Sequence, residues 1–319
     1  MMPALKVDNL AKTFPLKKPL FGRAPPGVRA VRPMSFAVET GETLGVVGES
    51  GCGKSTLARM LVGLLDPTAG TIEIEGSKLD TADPAEFGKL IQYVFQDPIS
   101  SLNPRKTIRQ VMEAPLRRLH NMPRADRDAR ISEIFASVNL REEFLERYPH
   151  EFSGGQAQRI GIARALAANP RIIILDEPVS ALDVSVQAQV LNLLAALKEE
   201  FGLTYLFITH DLAVVEAVSD RIIVLYFGAV VEIGKAENIF ANPRHPYTKL
   251  LADSAPVVGR PLTAPEQRGT ELPDPLNPPP GCAFAGRCPR ATDLCRTDVP
   301  ELIPMGEDQL AACHHPIRG

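Results

Sequence analysis

The sequence lacks any apolar run of the roughly 18 residues that a membrane-spanning helix requires. Its longest candidate, residues 222–231, is interrupted by Gly228 and is better interpreted as two strands joined by a turn. The N-terminal residues include Lys6, Asp8 and Lys12, so the chain does not begin with an apolar signal-peptide segment. We therefore expect a cytosolic protein whose contact with any membrane passes through a protein partner.

A strong excess of charge of either sign is also absent, because the formal net charge is only −3 at pH 7. This balance provides no general attraction to nucleic acid or anionic lipid, and we expect no nucleic-acid partner. Hydrophobic residues make up 45% of the chain and charged residues 23%, which is typical of a globular protein with a packed core. The 319 residues suffice for one large core with an appendage, or for two modest domains.

Strand and helix patterns alternate along most of the chain. Alternating or continuous apolar runs predict strands at residues 5–10, 34–39, 43–47, 71–75, 90–95, 172–175 and 205–209. Helical patterns are predicted for residues 57–65, 156–168 and 186–201, and for much of the charged segment 107–148. This order predicts an α/β fold in which helices cover both faces of a mainly parallel sheet.

Proline divides the chain near residue 242. Fourteen of the 29 prolines lie in residues 243–319, a density that helices and sheet ladders do not accommodate. We predict a domain over residues 1–242, which folds separately, and a loop-rich extension over residues 243–319. Residues 14–31 carry four prolines and four basic side chains, which indicates an exposed basic loop. Contact of this loop with lipid headgroups or a membrane partner is the alternative.

Residues 48–56 match the phosphate-binding pattern G-x-x-x-x-G-K-[ST]. Glycines let the backbone close around phosphate, and N–H groups at the start of the following helix attract an anion. Lys54 is expected to pair with the β- and γ-phosphates of a nucleotide, and Ser55 to ligate Mg²⁺. The candidate ATP-binding residues of this loop are Gly48, Ser50, Gly51, Cys52, Gly53, Lys54, Ser55 and Thr56. Cys52 is either a bystander or a thiol made reactive by the nearby phosphate.

Two adjacent carboxylates follow the apolar strand at residues 172–175. Asp176 is expected to hold Mg²⁺ through water, beside the strand that leads to Lys54. Glu177 is expected to act as general base and to polarise the water that attacks the γ-phosphate. An ordinary surface turn is the alternative explanation for two such neighbours.

Residues 152–156 read Phe-Ser-Gly-Gly-Gln and precede a predicted helix. Ser153 and the backbone N–H groups of Gly154 and Gly155 can therefore bind an anion. Together with the phosphate loop and the pair of carboxylates, this segment resembles the ATPase subunits of ABC transporters, over about residues 4–250. The family usually has leucine where this chain has Phe152, but the Ser-Gly-Gly-Gln core is intact.

The resemblance implies that two subunits bury two ATP molecules between them. Ser153, Gly154, Gly155 and Gln156 of one subunit then face the γ-phosphate held by the other. It also implies an N-terminal antiparallel β subdomain and a helical subdomain over about residues 97–160.

Four further residues acquire roles only through this resemblance. Gln96 matches the glutamine that contacts Mg²⁺ or water and senses the membrane partner, and His210 matches the histidine near the γ-phosphate. Asp183, in the segment Ala-Leu-Asp, matches the residue that communicates across the dimer. Phe14 matches the aromatic residue that stacks on adenine, although the family usually has tyrosine there. The implied catalytic residues are Lys54, Gln96, Glu177 and His210.

Residues 96–105 and 242–251 resemble the oligopeptide, dipeptide and nickel importer branch of the family. That branch implies ATP hydrolysis that drives import of peptides, or of a related solute such as nickel, through two transmembrane permease subunits. The chain is then a peripheral protein at the cytoplasmic face of the membrane, paired with a copy or a paralogue and served indirectly by an extracytoplasmic binding protein. The alternative is an ABC ATPase of DNA repair or translation. Such proteins typically have two nucleotide domains or a long coiled coil, whereas this chain has one phosphate loop and no sustained heptads.

Four of the five cysteines lie in the last 38 residues, at positions Cys282, Cys288, Cys295 and Cys313. Such clustering in a cytosolic chain favours a metal site over disulfides, and four thiolates suit an iron–sulfur cluster or zinc. The spacings C-x5-C, x6-C and x17-C resemble the cysteine tail of the same importer branch and include no C-x-x-C pair. We predict a structural [4Fe–4S] cluster, with zinc and with free or disulfide-bonded thiols as alternatives.

Overall fold

The computed structural model describes residues 2–16, 27–79, 83–254, 272–306 and 308–318. Most of the predicted basic loop at residues 14–31 lies outside these ranges. The strands are β1 (Leu5–Phe14), β2 (Val28–Val38), β3 (Thr43–Val47), β4 (Ala69–Ile74), β5 (Ser77–Lys78), β6 (Ile91–Val94), β7 (Ile172–Asp176), β8 (Thr204–Thr209), β9 (Arg221–Tyr226), β10 (Ala229–Lys235), β11 (Ile303–Pro304) and β12 (Gln309–Ala311). The helices are α1 (Lys54–Leu61), α2 (Pro84–Leu90), α3 (Ile108–His120), α4 (Arg124–Ser137), α5 (Gly154–Leu166), α6 (Val184–Phe201), α7 (Leu212–Val218), α8 (Ala236–Ala241), α9 (Pro246–Ser254) and α10 (Asp293–Thr297).

An eight-stranded sheet carries most of these elements, with strand order β11-β12-β10-β9-β3-β8-β7-β6. Its five strands from β9 to β6 are parallel, and β10, β12 and β11 complete one edge in antiparallel pairs. β3, β7 and β8 are buried along their whole lengths, which explains their continuous apolar sequences. The hairpin of β9 and β10 confirms the strand–turn–strand interpretation of residues 222–231.

A second sheet is antiparallel and has strand order β2-β1-β4-β5. Its apolar side chains belong to the same core cluster as those of helix α1 and the central sheet. This cluster includes Leu5 of β1, Leu57 of α1 and Val46 of β3. β1 continues to Phe14, beyond its predicted end at residue 10. The prediction ended too early because register shifts against β2 interrupt the alternation of apolar and polar residues in this part of the strand. The predicted α/β fold, with its mainly parallel core sheet and antiparallel N-terminal sheet, is confirmed.

A helical lobe made of α3, α4 and α5 lies between β6 and β7 in the chain. Four apolar residues of α4 and its C-terminal end are all buried in the core of this lobe: Ile131, Ile134, Phe135 and Val138. Phe152 is also buried there, with its ring edge-on to that of Phe144 at 5.7 Å between centroids. The core of the lobe therefore accommodates Phe152 at the position where the family usually has leucine.

The C-terminal region is joined to the central sheet. β12 pairs with β10, and β11 pairs with β12, so this region supplies the last two strands. Tyr247 and Phe284 lie in one core cluster with Val47 and Val224 of the parallel strands. Both regions therefore contribute side chains to the same core, whereas the sequence led us to expect that residues 1–242 fold separately. The domain boundary itself, near residue 242, stays a prediction.

A buried carboxylate reinforces this connection. Glu232 of β10 accepts hydrogen bonds from the backbone N–H groups of Arg244 and His245, each at 2.8 Å. It also accepts one from the side-chain amide of Gln309 in β12, at 2.6 Å. Burial raises the pKa of Glu232, and the hydrogen bonds oppose that effect. One side chain therefore ties both the start and the final strand of the C-terminal region to the sheet.

Candidate active site

The phosphate loop connects β3 to α1, as predicted. Gly53 precedes the first helical residue with a φ of 107°, a left-handed conformation that favours glycine. A Cβ atom at Gly53 would lie 2.4 Å from the carbonyl oxygen of Ala30, so the position also requires a residue without a side chain. Ser55 and Thr56 follow in the first turn of α1, whose N-terminal N–H groups face the loop. The loop thus has the backbone form that binds phosphate.

Lys54 is the first residue of α1, and its side chain is only 6% exposed. Its Nζ donates hydrogen bonds to the carbonyl oxygens of Gly48 and Glu49, at 2.6 and 3.1 Å. The ammonium group is therefore held inside the loop, where phosphate oxygens would replace the carbonyls as acceptors. Cys52 is buried beside it, and burial raises the pKa of its thiol. The protonated form of Cys52 is favoured, which supports a bystander rather than a reactive thiol.

Asp176 ends β7 and is 4% exposed. Its Oδ2 accepts a hydrogen bond from the hydroxyl of Tyr93 at 2.5 Å, while its buried Oδ1 has no hydrogen-bond partner. Burial, and then the neighbouring Asp176 charge, raise the pKa of Tyr93, so this hydroxyl remains a donor. β8 lies between β7 and β3, so Asp176 does not end directly beside the strand that leads to Lys54, as the sequence led us to expect. Its orphaned carboxylate oxygen at the same edge of the sheet fits the predicted Mg²⁺ site.

Glu177 follows with a φ of 47°, an uncommon conformation for a residue with a side chain. Its backbone N–H donates to the carbonyl of Ile208 at 2.8 Å, which fixes this turn against β8. Its Oε2 accepts a hydrogen bond from Gln96 Nε2 at 2.8 Å, and its Oε1 lies 3.0 Å from His210 Nδ1. Three residues that are far apart in the sequence thus form one hydrogen-bonded group.

The strand order explains why these residues meet. β3, β8, β7 and β6 are consecutive neighbours in the parallel part of the sheet. The phosphate loop, His210, the Asp176–Glu177 pair and Gln96 each follow the carboxyl end of one of these strands. Parallel strands present their carboxyl ends at the same edge, which is where ligands bind in open α/β sheets.

The Ser153 segment belongs to the helical lobe. Ser153 caps α5, with its Oγ accepting from the N–H of Gln156 and the Gln156 side chain accepting from the N–H of Ser153. Ser153 and Gly154 are exposed, as an interaction with a second molecule requires. Asp183, just before α6, is also exposed and is followed by Val184, whose side chain is 82% exposed.

Phe14 lies at the end of β1 and is exposed, with Lys12 Nζ 5.4 Å from the centroid of its ring. The ring is thus accessible for stacking, and its role toward adenine stays a prediction.

The four C-terminal cysteines all line one small cavity, together with His245 and His315. Burial raises the pKa of the thiols of Cys282 and Cys288, and raises that of Cys313 to about 11. Within the described residues, no group of three or more histidine, cysteine, aspartate or glutamate side chains is arranged to hold a metal ion. The four cysteines converge on one cavity but are not arranged as metal ligands there, and the predicted cluster stays a prediction.

Sequence reasoning missed two residues that contact the phosphate loop from the C-terminal region. Arg287 donates two hydrogen bonds to the carboxylate of Glu49, at 2.8 and 2.9 Å. The hydroxyl of Tyr247 accepts a hydrogen bond from the Glu49 backbone N–H at 2.9 Å. Both residues lie in segments that the sequence analysis connected with the importer branch, but no spacing rule relates them to residue 49.

Two family models match the chain. One, described as ABC transporter, matches residues 31–180, and the other, described as oligopeptide/dipeptide transporter, C-terminal region, matches residues 231–295. The oligopeptide transport ATP-binding protein AppF of Bacillus subtilis is 48% identical over 97% of this chain and 96% of its own length. The chain belongs to the ABC transporter ATP-binding proteins. The dipeptide transport ATP-binding protein DppF of Haemophilus influenzae is also 48% identical, over 98% of this chain and 97% of its own length.

Solved ABC ATPase structures share the fold. The ATP-binding cassette MJ0796, in a dimeric structure with ADP and Pi, matches with a TM-score of 0.64 and 34% identity, over 73% of this chain and 98% of its own. CbiO1 of Clostridium perfringens, part of a cbiONQ transporter complex, matches with a TM-score of 0.65 and 27% identity, over 75% of this chain and 91% of its own. As in the sequence analysis, no helix in the described part of this ABC ATPase is long and apolar enough to span a membrane.

Proposed function

We propose that this ABC ATPase hydrolyses ATP at an interface between two ATP-binding subunits and thereby drives the import of peptides through a separate membrane permease. The observation that carries the proposal is the group of Gln96, Glu177 and His210 beside the phosphate loop, in a chain 48% identical to peptide transport ATP-binding proteins. Peptides are favoured over nickel, because the relatives' names specify oligopeptides and dipeptides. A role in DNA repair or translation is not favoured, because these relatives are transport proteins.

Hydrolysis follows from the positions of the side chains. Lys54 neutralises charge on the β- and γ-phosphates after it exchanges its bonds to the carbonyls of Gly48 and Glu49. Glu177 accepts a proton from the attacking water, and His210 and Gln96 hold its carboxylate in place. Ser55 and the free Oδ1 of Asp176 would hold Mg²⁺, directly or through water, with Gln96 nearby. When bound, Mg²⁺ supplies positive charge to the phosphate oxygens.

The second subunit, a copy or a paralogue, completes each ATP site. The exposed positions of Ser153, Gly154, Asp183 and Val184 support a partner at this surface. The N-terminus of α5 then presents the N–H groups of Gly154, Gly155 and Gln156 to a γ-phosphate on the opposite subunit. Membership in an importer family supports two permease subunits, an extracytoplasmic binding protein that acts indirectly, and a peripheral location at the cytoplasmic face.

A peptide-uptake assay tests this function. Membrane vesicles that contain the permease, with binding protein on the opposite side, should accumulate labelled peptide only when this chain and ATP are both present. Vesicles given nickel, or given DNA in an ATPase-stimulation assay, serve as comparisons. Uptake that is independent of this chain, or ATPase activity stimulated by DNA rather than by the permease, contradicts the proposal.

The helical lobe is the surface we propose for the permease, because Gln96 joins it to the site. Leu102 is buried and Asn103 is exposed, so Asn103→Cys is the suitable position for a cross-link to the permease. Glu200→Cys, at an exposed position near the end of α6, is the matched control. We expect a cross-link from the Asn103 variant alone. Cross-linking that comes only from the native C-terminal cysteines would overturn this assignment.

We also propose that Cys282, Cys288, Cys295 and Cys313 hold one [4Fe–4S] cluster, with zinc as the alternative. Their convergence on one cavity supports this, as does the low apolar content of the proline-rich region that they connect. The role is structural, because ligation by residues from 282 to 313 cross-links a segment with little regular secondary structure.

Metal analysis of protein purified without oxygen tests the cluster. We expect a brown protein with about four irons per chain, and we expect Cys288→Ser to lose colour and iron. Cys52→Ala, outside the C-terminal cavity, should retain both. About one zinc per chain without iron would replace the cluster by a zinc site. Protein that contains neither metal contradicts the proposal.

A further inference from the structure

One ion pair connects residues that are 238 positions apart and joins the C-terminal region to the phosphate loop. Arg287 Nη1 donates to Glu49 Oε2 at 2.8 Å, and Nη2 donates to Oε1 at 2.9 Å. The side chains are only 13% and 29% exposed, so the pair is partly withdrawn from water. A bidentate arginine–carboxylate pair is stronger and more directional than an ordinary surface ion pair. Glu49 is the second residue of the phosphate loop.

The surroundings of Arg287 hold its guanidinium in this geometry. The guanidinium carbon lies 5.7 Å from the ring centroid of Phe284 and 5.9 Å from that of Tyr226. Both rings are almost completely buried, which restricts the arginine to few rotamers. Tyr247, in the same aromatic cluster, accepts the hydrogen bond from the backbone N–H of Glu49. The C-terminal region therefore binds both the side chain of Glu49, through Arg287, and its backbone N–H, through Tyr247.

The charge of Glu49 makes this contact relevant to nucleotide binding. A carboxylate in a phosphate loop repels the polyphosphate of ATP unless a cation balances it. Charges of equal sign repel each other more strongly in a partly buried loop than in open solvent, because water screens them less there. Arg287 supplies the balancing charge at hydrogen-bond distance. Its removal leaves a partly buried carboxylate without a partner in the loop that accepts the phosphates.

We propose that Arg287 is a positioning residue for the ATP site: from the C-terminal region it neutralises Glu49 and holds the phosphate loop in its binding conformation. This inference rests on the proposed ATPase function and adds the C-terminal region to the residues that determine affinity for ATP. Arg287 acts through Glu49 and contacts neither the reacting phosphate nor the attacking water, so its removal alters ATP binding more than the chemical step.

A double-mutant cycle on the full-length chain tests the proposal. Affinity for MgATP is measured by calorimetric titration for the unaltered chain, Arg287→Gln, Glu49→Gln and the double variant. We expect R287Q to weaken MgATP binding roughly tenfold when Glu49 is present, because one like charge is exposed to the phosphates. In the E49Q background the same substitution should weaken binding less than about threefold, because no uncompensated carboxylate remains.

Two comparisons separate positioning from general disruption of the C-terminal region. Arg296→Gln removes an exposed arginine of the same region and should leave MgATP affinity unchanged. Arg287→Lys keeps the positive charge but cannot form the bidentate pair, so it should bind MgATP more weakly than the unaltered chain and more tightly than R287Q. In steady-state ATPase assays R287Q should raise KM for ATP roughly tenfold and change kcat less than about twofold.

The outcomes distinguish the inference from the function on which it rests. Equal losses from R287Q in both backgrounds, or no loss in either, overturn the positioning role and leave the ATPase assignment intact. Loss of affinity in R287K as large as in R287Q also overturns it, because charge compensation then has no effect. Failure of the unaltered chain to bind MgATP overturns both proposals.

Discussion

Replacement of Glu177 by glutamine is expected to reduce ATP hydrolysis by roughly 100-fold or more while MgATP still binds. The amide keeps the size of the side chain and can still pair with Gln96 or His210, but it cannot accept the proton of the attacking water. ATP should then hold two subunits together, because the bound nucleotide is no longer consumed. Phosphate release by the assembled transporter measures the loss, and size-exclusion chromatography with ATP measures the trapped dimer.

Glu216→Gln is the matched control, because it removes an exposed carboxylate from helix α7 outside the hydrogen-bonded group. This variant should hydrolyse ATP at the rate of the unaltered protein. Near-normal hydrolysis by E177Q would show that another group acts as the base. Loss of MgATP binding in E177Q would instead indicate that the substitution disturbs the phosphate loop.

Mixed dimers are expected to show that each ATP site takes residues from two subunits. One lesion is Lys54→Ala, in the phosphate loop, and the other is Gly154→Asp, at the start of α5. When the lesions lie on different subunits, one site carries both and the other is intact. When both lie on one subunit, each site carries one lesion. In an E177Q background we expect about one occluded ATP per dimer in the first case and almost none in the second.

The Gly154→Asp substitution is suited to this test because the position is exposed and has room for a side chain. A Cβ at Gly154 would lie 3.3 Å from the nearest atom, Leu182 Cδ2, so a small adjustment accommodates it. Thermal unfolding of each single variant controls for loss of structure. Equal occlusion in the two arrangements would contradict the shared site, as would a cross-link between Ser153 and Lys54 within one chain.

Much of the active site was predictable because its chemistry is concentrated in short, contiguous motifs. The phosphate loop needs glycines and a lysine at fixed spacing around a helix start, and that spacing is visible in residues 48–56. Asp176 and Glu177 were identifiable as the polar end of a continuous apolar strand. Gln96 and His210 have no such local signature, and only the family resemblance indicated them. Tertiary structure then brings both within hydrogen-bond distance of Glu177.

Predictions from local pattern were weakest where backbone irregularity or distant contacts dominate. The helix predicted for residues 57–65 ends at Leu61, because Gly63 takes a left-handed φ of 71° just beyond it. The C-terminal region was expected to be separate from the core because of its prolines. Proline limits regular structure locally, but it does not prevent a short strand such as β12 from pairing with β10.

The sequence by itself determined the class of the protein, the strand and helix that flank the phosphate loop, and the candidate roles of Lys54, Asp176 and Glu177. Each of these depends on residue type and on spacing within a few positions. Only the tertiary structure decided that Arg287 and Tyr247 reach Glu49, and that Glu232 ties the C-terminal region to the sheet. The physical reason is that no fixed separation in the sequence identifies an ion pair between positions 49 and 287. The pair forms because the strands and loops of the fold bring the two side chains together.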